Sequence, residues 1–350
     1  MENQKNNVIQ IDPQVVVQPD VTHEAFTGLQ TQAQAGDAFL ARAEKIRESG
    51  LRGWIPSGFS QIDASLNLLT CGDFTVVGGR PGIGKTIVGD QLATAATAFG
   101  NVLFFTLEMP PEKLFQRKLA AKTGLSVTQI VRADELGNED FARIRLAAQE
   151  IKTSSENGLF YALDRDIAAI EDRGTATMKQ FDGTRKPLSL IVIDYLQLVE
   201  NAGCSGSRLD VVSGVSRRLA ELAKKLRIPV VALAQLNRGS DSRPDSTPQL
   251  NDLRESGSIE QDAATVLLIH RVKKDGVASD EARFLLPKVR DGAIGEFQMK
   301  FNPTKMKFED PGWTRYGADK KDDDLHEQWL KNVQASKKGT GEEVFDGIPF

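Results

Sequence analysis

The chain has 350 residues, of which 40% are hydrophobic and 26% are charged, a composition typical of globular proteins. It contains neither an apolar run of membrane-spanning length nor a signal-peptide pattern, so we expect a cytoplasmic protein with no membrane partner. Residues 309–350 carry ten acidic and six basic side chains, which accounts for the whole net charge of −4. The remaining chain is neutral, and this does not exclude a local basic surface for an anionic polymer.

Residues 1–34 are polar and have no sustained hydrophobic period, so we predict that they are disordered. Asp37 is a candidate N-cap for a helix that ends near Ser49, with Gly50 as its stop. Because so short a helix is unstable alone, we expect residues 35–50 to dock on the core or on a neighbouring subunit. After Phe308 the sequence cannot supply a core, which predicts a flexible acidic tail over residues 309–350.

Between residues 51 and 308, apolar runs alternate with segments of helical period. The predicted strands are 74–77, 102–106, 159–163, 190–194, 230–234 and 266–270, followed by 284–286 and 296–301. The predicted helices are 87–99, 112–122, 138–153 and 209–226. Apolar strands separated by helices predict an α/β domain whose mostly parallel sheet is covered on both faces. The short later strands, up to Phe308, predict an antiparallel extension of that sheet.

A glycine-rich run with the spacing of a phosphate-binding loop lies between a predicted strand and a predicted helix. Its residues are Gly79, Arg80, Pro81, Gly82, Ile83, Gly84, Lys85 and Thr86. Glycines allow backbone N–H groups to surround an anion at the helix N-terminus. Lys85 would contact the terminal phosphates of ATP, and Thr86 would offer its hydroxyl to Mg²⁺. The alternative is a glycine turn that merely precedes a helix, but the strand and helix on either side favour a nucleoside triphosphate site.

Two carboxylates follow apolar runs further along the chain. Glu108 follows a strand that we expect to lie beside the phosphate loop, where it would activate the attacking water as a general base. Alternatively, Glu108 is a surface residue that caps the next helix. Asp194 ends a buried strand and would hold Mg²⁺ through water together with Thr86. The two patterns complete the set expected of a nucleoside triphosphatase.

Other polar side chains are weaker candidates when they are considered alone. Gln235 ends a strand and either contacts a terminal phosphate or is an ordinary satisfied polar residue. Lys288 and Arg290 are either exposed cations of a surface hairpin or arginine-finger-type groups that reach a neighbouring subunit. The polar segments 201–208 and 239–257 contain no aromatic residue, so any nucleic acid would be held there through its phosphates.

Six runs of sequence resemble the DnaB-type replicative DNA helicases, in the same order, over roughly three quarters of the chain. They are residues 54–63, 79–86, 107–109, 190–198, 233–238 and 253–262. The resemblance implies a RecA-like P-loop ATPase core that uses ATP and Mg²⁺. It also implies a homo-hexameric ring that translocates on single-stranded DNA and unwinds the duplex. A RecA-type recombinase is the alternative enzyme, and a non-unwinding ring ATPase or loader scaffold is the alternative outside that class.

By position, the resemblance assigns roles to individual residues of this sequence. The catalytic set is Glu108, Lys85, Gln235, Lys288 and Arg290, with the last two inserted from the adjacent subunit. Thr86 and Asp194 match the magnesium residues, and Arg117 falls where an arginine lies against adenine. The DNA-binding set is Arg254, Glu255 and Gly257, to which we add Arg208 at the end of the earlier polar segment.

The sequence departs from the family pattern in several places. Only about thirty polar residues precede the linker helix, so we expect the usual N-terminal helical domain to be missing or supplied by another protein. Pro287 is expected to interrupt the strand before Lys288, and Asp291 replaces the usual Asn and is positioned to pair with Arg290. Residues 342–350 resemble the Ile-Pro-Phe tip of bacterial single-stranded-DNA-binding proteins. This predicts that the tail docks on a helicase loader, primase or other replisome protein, in a bacterial or infected-host cytoplasm.

Overall fold

The computed structural model describes residues 31–49, 53–154, 158–204, 206–237, 246–253, 257–274 and 277–310. All of them belong to one compact unit, which ends at Gly312. The predictions made for residues 1–30, for the acidic tail after residue 310 and for its tip lie outside the described residues.

The described helices are α1 (Gln32–Ser49), α2 (Ser60–Ser65), α3 (Lys85–Ala96), α4 (Pro111–Thr123), α5 (Val127–Val131), α6 (Asn138–Thr153), α7 (Ile167–Phe181), α8 (Arg208–Leu226) and α9 (Gly257–Asp262). The described strands are β1 (Trp54–Ile55), β2 (Leu69–Thr70), β3 (Phe74–Gly79), β4 (Asn101–Thr106), β5 (Leu159–Ala162), β6 (Leu188–Asp194), β7 (Val230–Gln235), β8 (Thr265–Lys274), β9 (Val277–Val289), β10 (Gly295–Asn302) and β11 (Lys307–Glu309).

Nine strands form one sheet in the order β11-β10-β9-β8-β3-β7-β6-β4-β5. The six strands from β8 to β5 are parallel to their neighbours within that group. Strands β9, β10 and β11 continue the sheet in antiparallel pairs. Both parts of the predicted fold, the mostly parallel sheet and its antiparallel extension, are therefore confirmed. Strands β1 and β2 form a separate antiparallel pair.

Strand β6 shows why the central strands read as unbroken apolar runs. All seven of its residues are buried, because helices cover both faces of the sheet. Successive side chains point to opposite faces, so Ile191 and Ile193 pack in the core beside α7 and α8. Leu190 and Val192 pack in the second core, against α3 and the antiparallel strands. A third, smaller core joins α4, α5 and α6.

Helix α1 begins earlier than the sequence analysis predicted. Thr31 and Gln34 form a capping box, in which the Gln34 N–H donates to Thr31 Oγ1 at 3.2 Å and the Thr31 N–H donates to Gln34 Oε1 at 2.9 Å. The predicted cap, Asp37, consequently lies inside the helix. Phe39 and Leu40 are 68% and 58% exposed, so these apolar side chains of α1 are not covered by the described chain.

Helix α7 was missing from the predicted elements, although its start is marked by an ordinary signal. The Asp166 side chain accepts a hydrogen bond from the Ala168 N–H at 2.9 Å and caps the helix. Gly174 then lies where a Cβ would meet Ile191 Cδ1 at 3.2 Å. The glycine, which resembles a turn signal in the sequence, instead allows close approach of the helix to the sheet.

Strand β9 also differs from the prediction, because it runs through Pro287 to Val289. The expected interruption at Pro287 was wrong. The ladder between β8 and β9 pairs Val266 with Lys288 and Leu268 with Leu285, so its register shifts at this point. A proline, which has no N–H to donate, is tolerated at such an irregularity.

Candidate nucleotide-binding site

The phosphate loop occupies the turn between β3 and α3. Gly82 and Gly84 have φ angles of +74° and +110°, a region that side chains with a Cβ rarely adopt. Lys85 begins α3, and its ammonium donates to the Arg80 carbonyl at 3.2 Å. Burial lowers the pKa of Lys85, while the negative charges of Asp194 and Glu108 raise it. The loop therefore has the backbone conformation and the cation that a bound phosphate requires.

The last strand of the sheet supports the loop from behind. A Cβ on Gly84 would lie 2.8 Å from the ring of Phe308, which is fully buried. Gln91 on α3 donates to the Phe308 carbonyl at 2.9 Å and accepts from the Phe308 N–H at 2.8 Å. Strand β11 is thus bonded to the helix that follows the phosphate loop. Asp310, just beyond this strand, accepts hydrogen bonds from the backbone and side chain of Gln61.

Asp194 lies at the end of β6 with its carboxylate buried. Burial raises its pKa to about 6, and the charge of Glu108 contributes in the same direction. Thr86, Lys85 and Arg117 oppose this shift and lower the pKa. Neither carboxylate oxygen makes a well-formed hydrogen bond within the described part of the chain. A buried carboxylate beside a threonine hydroxyl fits the ligand preference of Mg²⁺, although the described residues hold no cluster of three or more His, Cys, Asp or Glu side chains.

Glu108 is exposed at the turn between β4 and α4. The expectation that its strand lies beside the phosphate-loop strand was wrong, because β7 and β6 separate β4 from β3. Thr106 nevertheless pairs with Asp194 across the sheet, which places Glu108 beside the buried carboxylate. The Thr106 hydroxyl donates to the Met109 carbonyl, and Arg165 donates to the Leu107 carbonyl at 3.0 Å. These bonds fix the turn that carries Glu108, and Arg165 was not among the predicted residues.

Gln235 ends β7, whose neighbours are the phosphate-loop strand and the Asp194 strand. It pairs in register with Gly79. Its backbone is bonded by Gln197, a side chain that the sequence analysis did not assign. Gln197 lies three residues after Asp194 in a short 3₁₀ turn, and nothing in the pattern of residues marked it.

Lys288 and Arg290 lie at the opposite end of the sheet from the phosphate loop. Lys288 pairs with Val266, and the Arg290 N–H donates to the Ala264 carbonyl at 2.9 Å. At ~3.3 Å per residue, the six residues of β3 place Arg290 about 16 Å from the level of Gly79. The two cations are therefore kept away from the phosphate loop of their own chain.

The partners of these two cations differ from those expected. The Lys288 ammonium donates to the Glu260 carbonyl at the end of α9, and burial lowers the pKa of Lys288. The Arg290 guanidinium lies 3.9 Å from Asp73, which is a different partner from the predicted Asp291. Burial raises the pKa of Asp73, and the charge of Arg290 opposes the shift. Arg290, 46% exposed, is loosely held.

The remaining predicted residues are distributed over several elements. Arg117 lies on α4, which is joined to α3 by an ion pair of 3.0 Å between buried Lys118 and Asp90. Arg208 is exposed at the first turn of α8, and Gly257 begins α9. Arg254 and Glu255 lie outside the described residues. The geometry thus brings together Lys85, Thr86, Asp194, Glu108 and Gln235 at the carboxyl ends of the strands, and it does not bring the DNA-binding set together among the described residues.

Comparison with known proteins identifies the family of this fold and site. Residues 54–310 match the DnaB-like helicase C-terminal domain. The chain belongs to this family. It is 35% identical to the replicative DNA helicase DnaB of Leifsonia xyli over 274 residues, which are 77% of this chain and 58% of that protein. It is 34% identical to the DnaB of Geobacillus stearothermophilus over 73% of this chain and 56% of the relative. The chain thus spans little more than half the length of these curated relatives.

Solved structures agree with the family assignment. One of them, described as an ATPase domain, superposes with a TM-score of 0.71 and 27% identity, covering 81% of this chain and all of that one. A DnaB-like replicative helicase, described together with its interactions with primase, superposes with a TM-score of 0.67 and 26% identity. That comparison covers 81% of this chain and 67% of the other. The fold is therefore the RecA-like α/β fold of DnaB-like ATPase domains. No helix among the described residues is both long and apolar enough to cross a membrane.

Proposed function

We propose that this protein is an ATP-dependent replicative DNA helicase, a ring-forming motor that translocates on single-stranded DNA and unwinds the duplex at the fork. The proposal rests on one observation above all. In a chain of the DnaB-like family, the phosphate loop, the buried Asp194 carboxylate and Glu108 converge at one edge of the sheet.

The roles of the residues follow from their positions at this edge. Lys85 and the loop N–H groups bind the phosphates of ATP, and Thr86 and Asp194 would hold Mg²⁺, which supplies positive charge against the transferring phosphoryl group. Glu108 takes a proton from the attacking water, a contribution typically of about 10²–10⁴-fold in rate. Gln235 contacts the terminal phosphate, and Arg117 lies against the adenine.

The separation of the cations from the phosphate loop supports a site shared between adjacent copies, as the proposed homo-hexamer would have. Because Arg290 lies about 16 Å along β3 from Gly79, a complete site requires Lys288 and Arg290 of an adjacent copy. The exposed Phe39 and Leu40 of α1 give each subunit an apolar surface that a neighbouring copy would cover. Nucleotide would then lie between subunits, which is how hydrolysis would move one subunit relative to the next.

Single-stranded DNA is the proposed polymer in the channel. Arg208, Arg254, Glu255 and Gly257 would follow its backbone, and the absence of aromatic residues from 201–208 and 239–257 favours phosphate contacts over base stacking. Binding through phosphates predicts little sequence preference and an affinity that falls steeply with salt concentration.

The acidic tail is the proposed contact for a loader, primase or other replisome protein in the bacterial or infected-host cytoplasm. Its last residues end in Ile348, Pro349 and Phe350, which suit an apolar pocket with a basic rim. A peptide of residues 342–350 should bind such a partner, and its Phe350→Ala form should bind at least tenfold more weakly. Equal binding of the two peptides, measured by fluorescence anisotropy, contradicts this role.

The central experiment is a fork-unwinding assay with ATP and Mg²⁺, performed alongside measurement of the assembly mass. We expect strand separation by the wild-type chain and none by Lys85→Ala, while Lys300→Ala, which alters an exposed lysine on β10, should unwind normally. Strand exchange without unwinding, or ATP-dependent assembly without unwinding, would contradict the helicase assignment.

A further inference from the structure

The backbone of Gln235 and Leu236 is hydrogen-bonded on both sides. The side chains involved are Gln197, which follows β6, and Arg80, which follows β3. On one side, Gln197 Nε2 donates to the Gln235 carbonyl at 3.0 Å, and the Gln235 N–H donates to Gln197 Oε1 at 3.0 Å. One side-chain amide thus bonds both polar groups of one backbone unit, as a neighbouring strand would. The bonds continue the sheet beyond the point where β6 itself has ended.

The other side of the segment is bonded to the phosphate loop. The Leu236 N–H donates to the Gly79 carbonyl at 3.2 Å, and Arg80 Nη1 donates to the Leu236 carbonyl at 3.0 Å. The Arg80 carbonyl in turn accepts from Lys85 at 3.2 Å. Four hydrogen bonds therefore fix the backbone of Gln235 and Leu236 between the phosphate loop and the turn after Asp194.

These hydrogen bonds lie between the phosphate loop, the turn after Asp194 and the start of the polar segment 239–257. The chain after Leu236 leads into the polar segment 239–257, and the turn containing Gln197 leads towards Arg208 and α8. Because β7 lies between β3 and β6, its end cannot shift without disturbing either the phosphate loop or the Asp194 turn. The backbone of Gln235 is thus connected both to the phosphate loop and to the turn after Asp194.

We propose that Gln197 is a positioning residue, which holds the Gln235 backbone so that the Gln235 side chain meets the terminal phosphate and relays its loss to the polar segments. The inference rests on the proposed function of this site. Gln197 contacts no substrate itself and acts through Gln235. A glutamine is suited to this role because one amide supplies both the donor and the acceptor. A glutamate would retain an acceptor but would place a carboxylate against the Gln235 carbonyl.

The test uses the assembled full-length protein and measures kcat and KM for ATP with and without single-stranded DNA. Gln197→Leu and the isosteric Gln197→Glu should each lower the DNA-stimulated kcat about tenfold, which corresponds to the loss of roughly one hydrogen bond in the transition state. The KM for ATP should change less than twofold, because Lys85 and the loop N–H groups are untouched. Gln129→Leu removes a glutamine that caps α5 and should leave both values unchanged.

A combined variant separates positioning from a general effect on the fold. Because Gln197 acts through Gln235, adding Gln197→Leu to Gln235→Ala should lower kcat no further than Gln235→Ala alone. Multiplied defects in the combined variant would overturn the inference, and so would an unchanged kcat in Gln197→Glu. A wild-type chain whose ATPase ignores DNA would instead contradict the proposed function, so the two failures are distinguishable.

Discussion

The two ends of the parallel sheet differ in how firmly they hold their functional side chains. At the carboxyl end, the phosphate loop is bonded to the chain at the end of β7 and packs against Phe308 of β11, and Asp194 is buried. At the amino end, Arg290 is 46% exposed and faces Asp73 across 3.9 Å. Exposed pairs of this kind contribute little stability. One end of the sheet therefore holds its functional side chains in a fixed geometry, whereas the other holds Arg290 only weakly.

The largest expected effect comes from a mixing experiment that tests whether the two ends meet in adjacent subunits. Lys85→Ala and Arg290→Ala should each lower ATP hydrolysis by at least about 10³-fold, the latter with nucleotide affinity mostly intact. Mixed rings of the two variants should regain part of the activity. Recovery is expected because the intact loop of an Arg290→Ala subunit can meet the intact arginine of a Lys85→Ala neighbour.

The control for the mixing experiment replaces Arg290→Ala with Arg217→Ala, which alters an exposed arginine on α8. This variant should be active without any mixing. No recovery in mixed rings whose subunit exchange is demonstrated by mass would contradict a site shared between copies, and full activity of Arg290→Ala alone would do the same.

The next largest effect is a loss of kcat from a substitution at the carboxyl end of the sheet. Glu108→Gln should lower kcat by about 10²–10⁴-fold because it removes the general base. Its ATP affinity should remain near the wild-type value, as measured by titration with a fluorescent nucleotide. Glu112→Gln, four residues further along, is the matched control and should keep wild-type kcat. A Glu108→Gln chain that hydrolyses ATP normally would assign Glu108 to the surface of the turn, as the alternative interpretation holds.

The smallest expected effects are changes in the free energy of unfolding, measured for one substitution at each end of the sheet. Gln91→Leu leaves the buried N–H and carbonyl of Phe308 without their partner, so we expect a loss of about 2–4 kcal/mol in the free energy of unfolding. Asp73→Asn should change that free energy by less than about 0.5 kcal/mol, because the cost of burying its charge offsets the long ion pair. Urea unfolding measures both values, and a larger effect for Asp73→Asn would reverse the comparison.

Much of the carboxyl end was predictable because each of its residues lies beside a local signal. Gly84 and Lys85 follow a strand and start a helix, and Asp194 ends an unbroken apolar run. The glutamines that hold the neighbouring backbone of Gln235 and Phe308 have no such signal. Gln197 and Gln91 act through hydrogen bonds to backbone groups 38 and 217 residues away, and any backbone group can accept or donate such bonds.

The order of the strands shows the limit of local patterns most clearly. The alternation of apolar runs and helices determined a parallel sheet, but it could not say that β7 and β6 separate β4 from β3. The position of Glu108 after a strand could therefore be read from the sequence, its role as general base stays a prediction, and the strand expected beside it was wrong. Similarly, the sequence analysis did not predict α7, in which Gly174 allows close packing against Ile191 of the sheet.

The sequence by itself determined the class of fold, the phosphate loop, the two carboxylates and the family, because these depend on residue type and spacing within short segments. Only the tertiary structure decided which strands are neighbours, that Pro287 lies within β9, and that Arg290 faces Asp73 rather than Asp291. The physical reason is that sheet order and side-chain pairing depend on contacts between residues distant in the chain. The spacing of residues along the sequence does not specify those contacts.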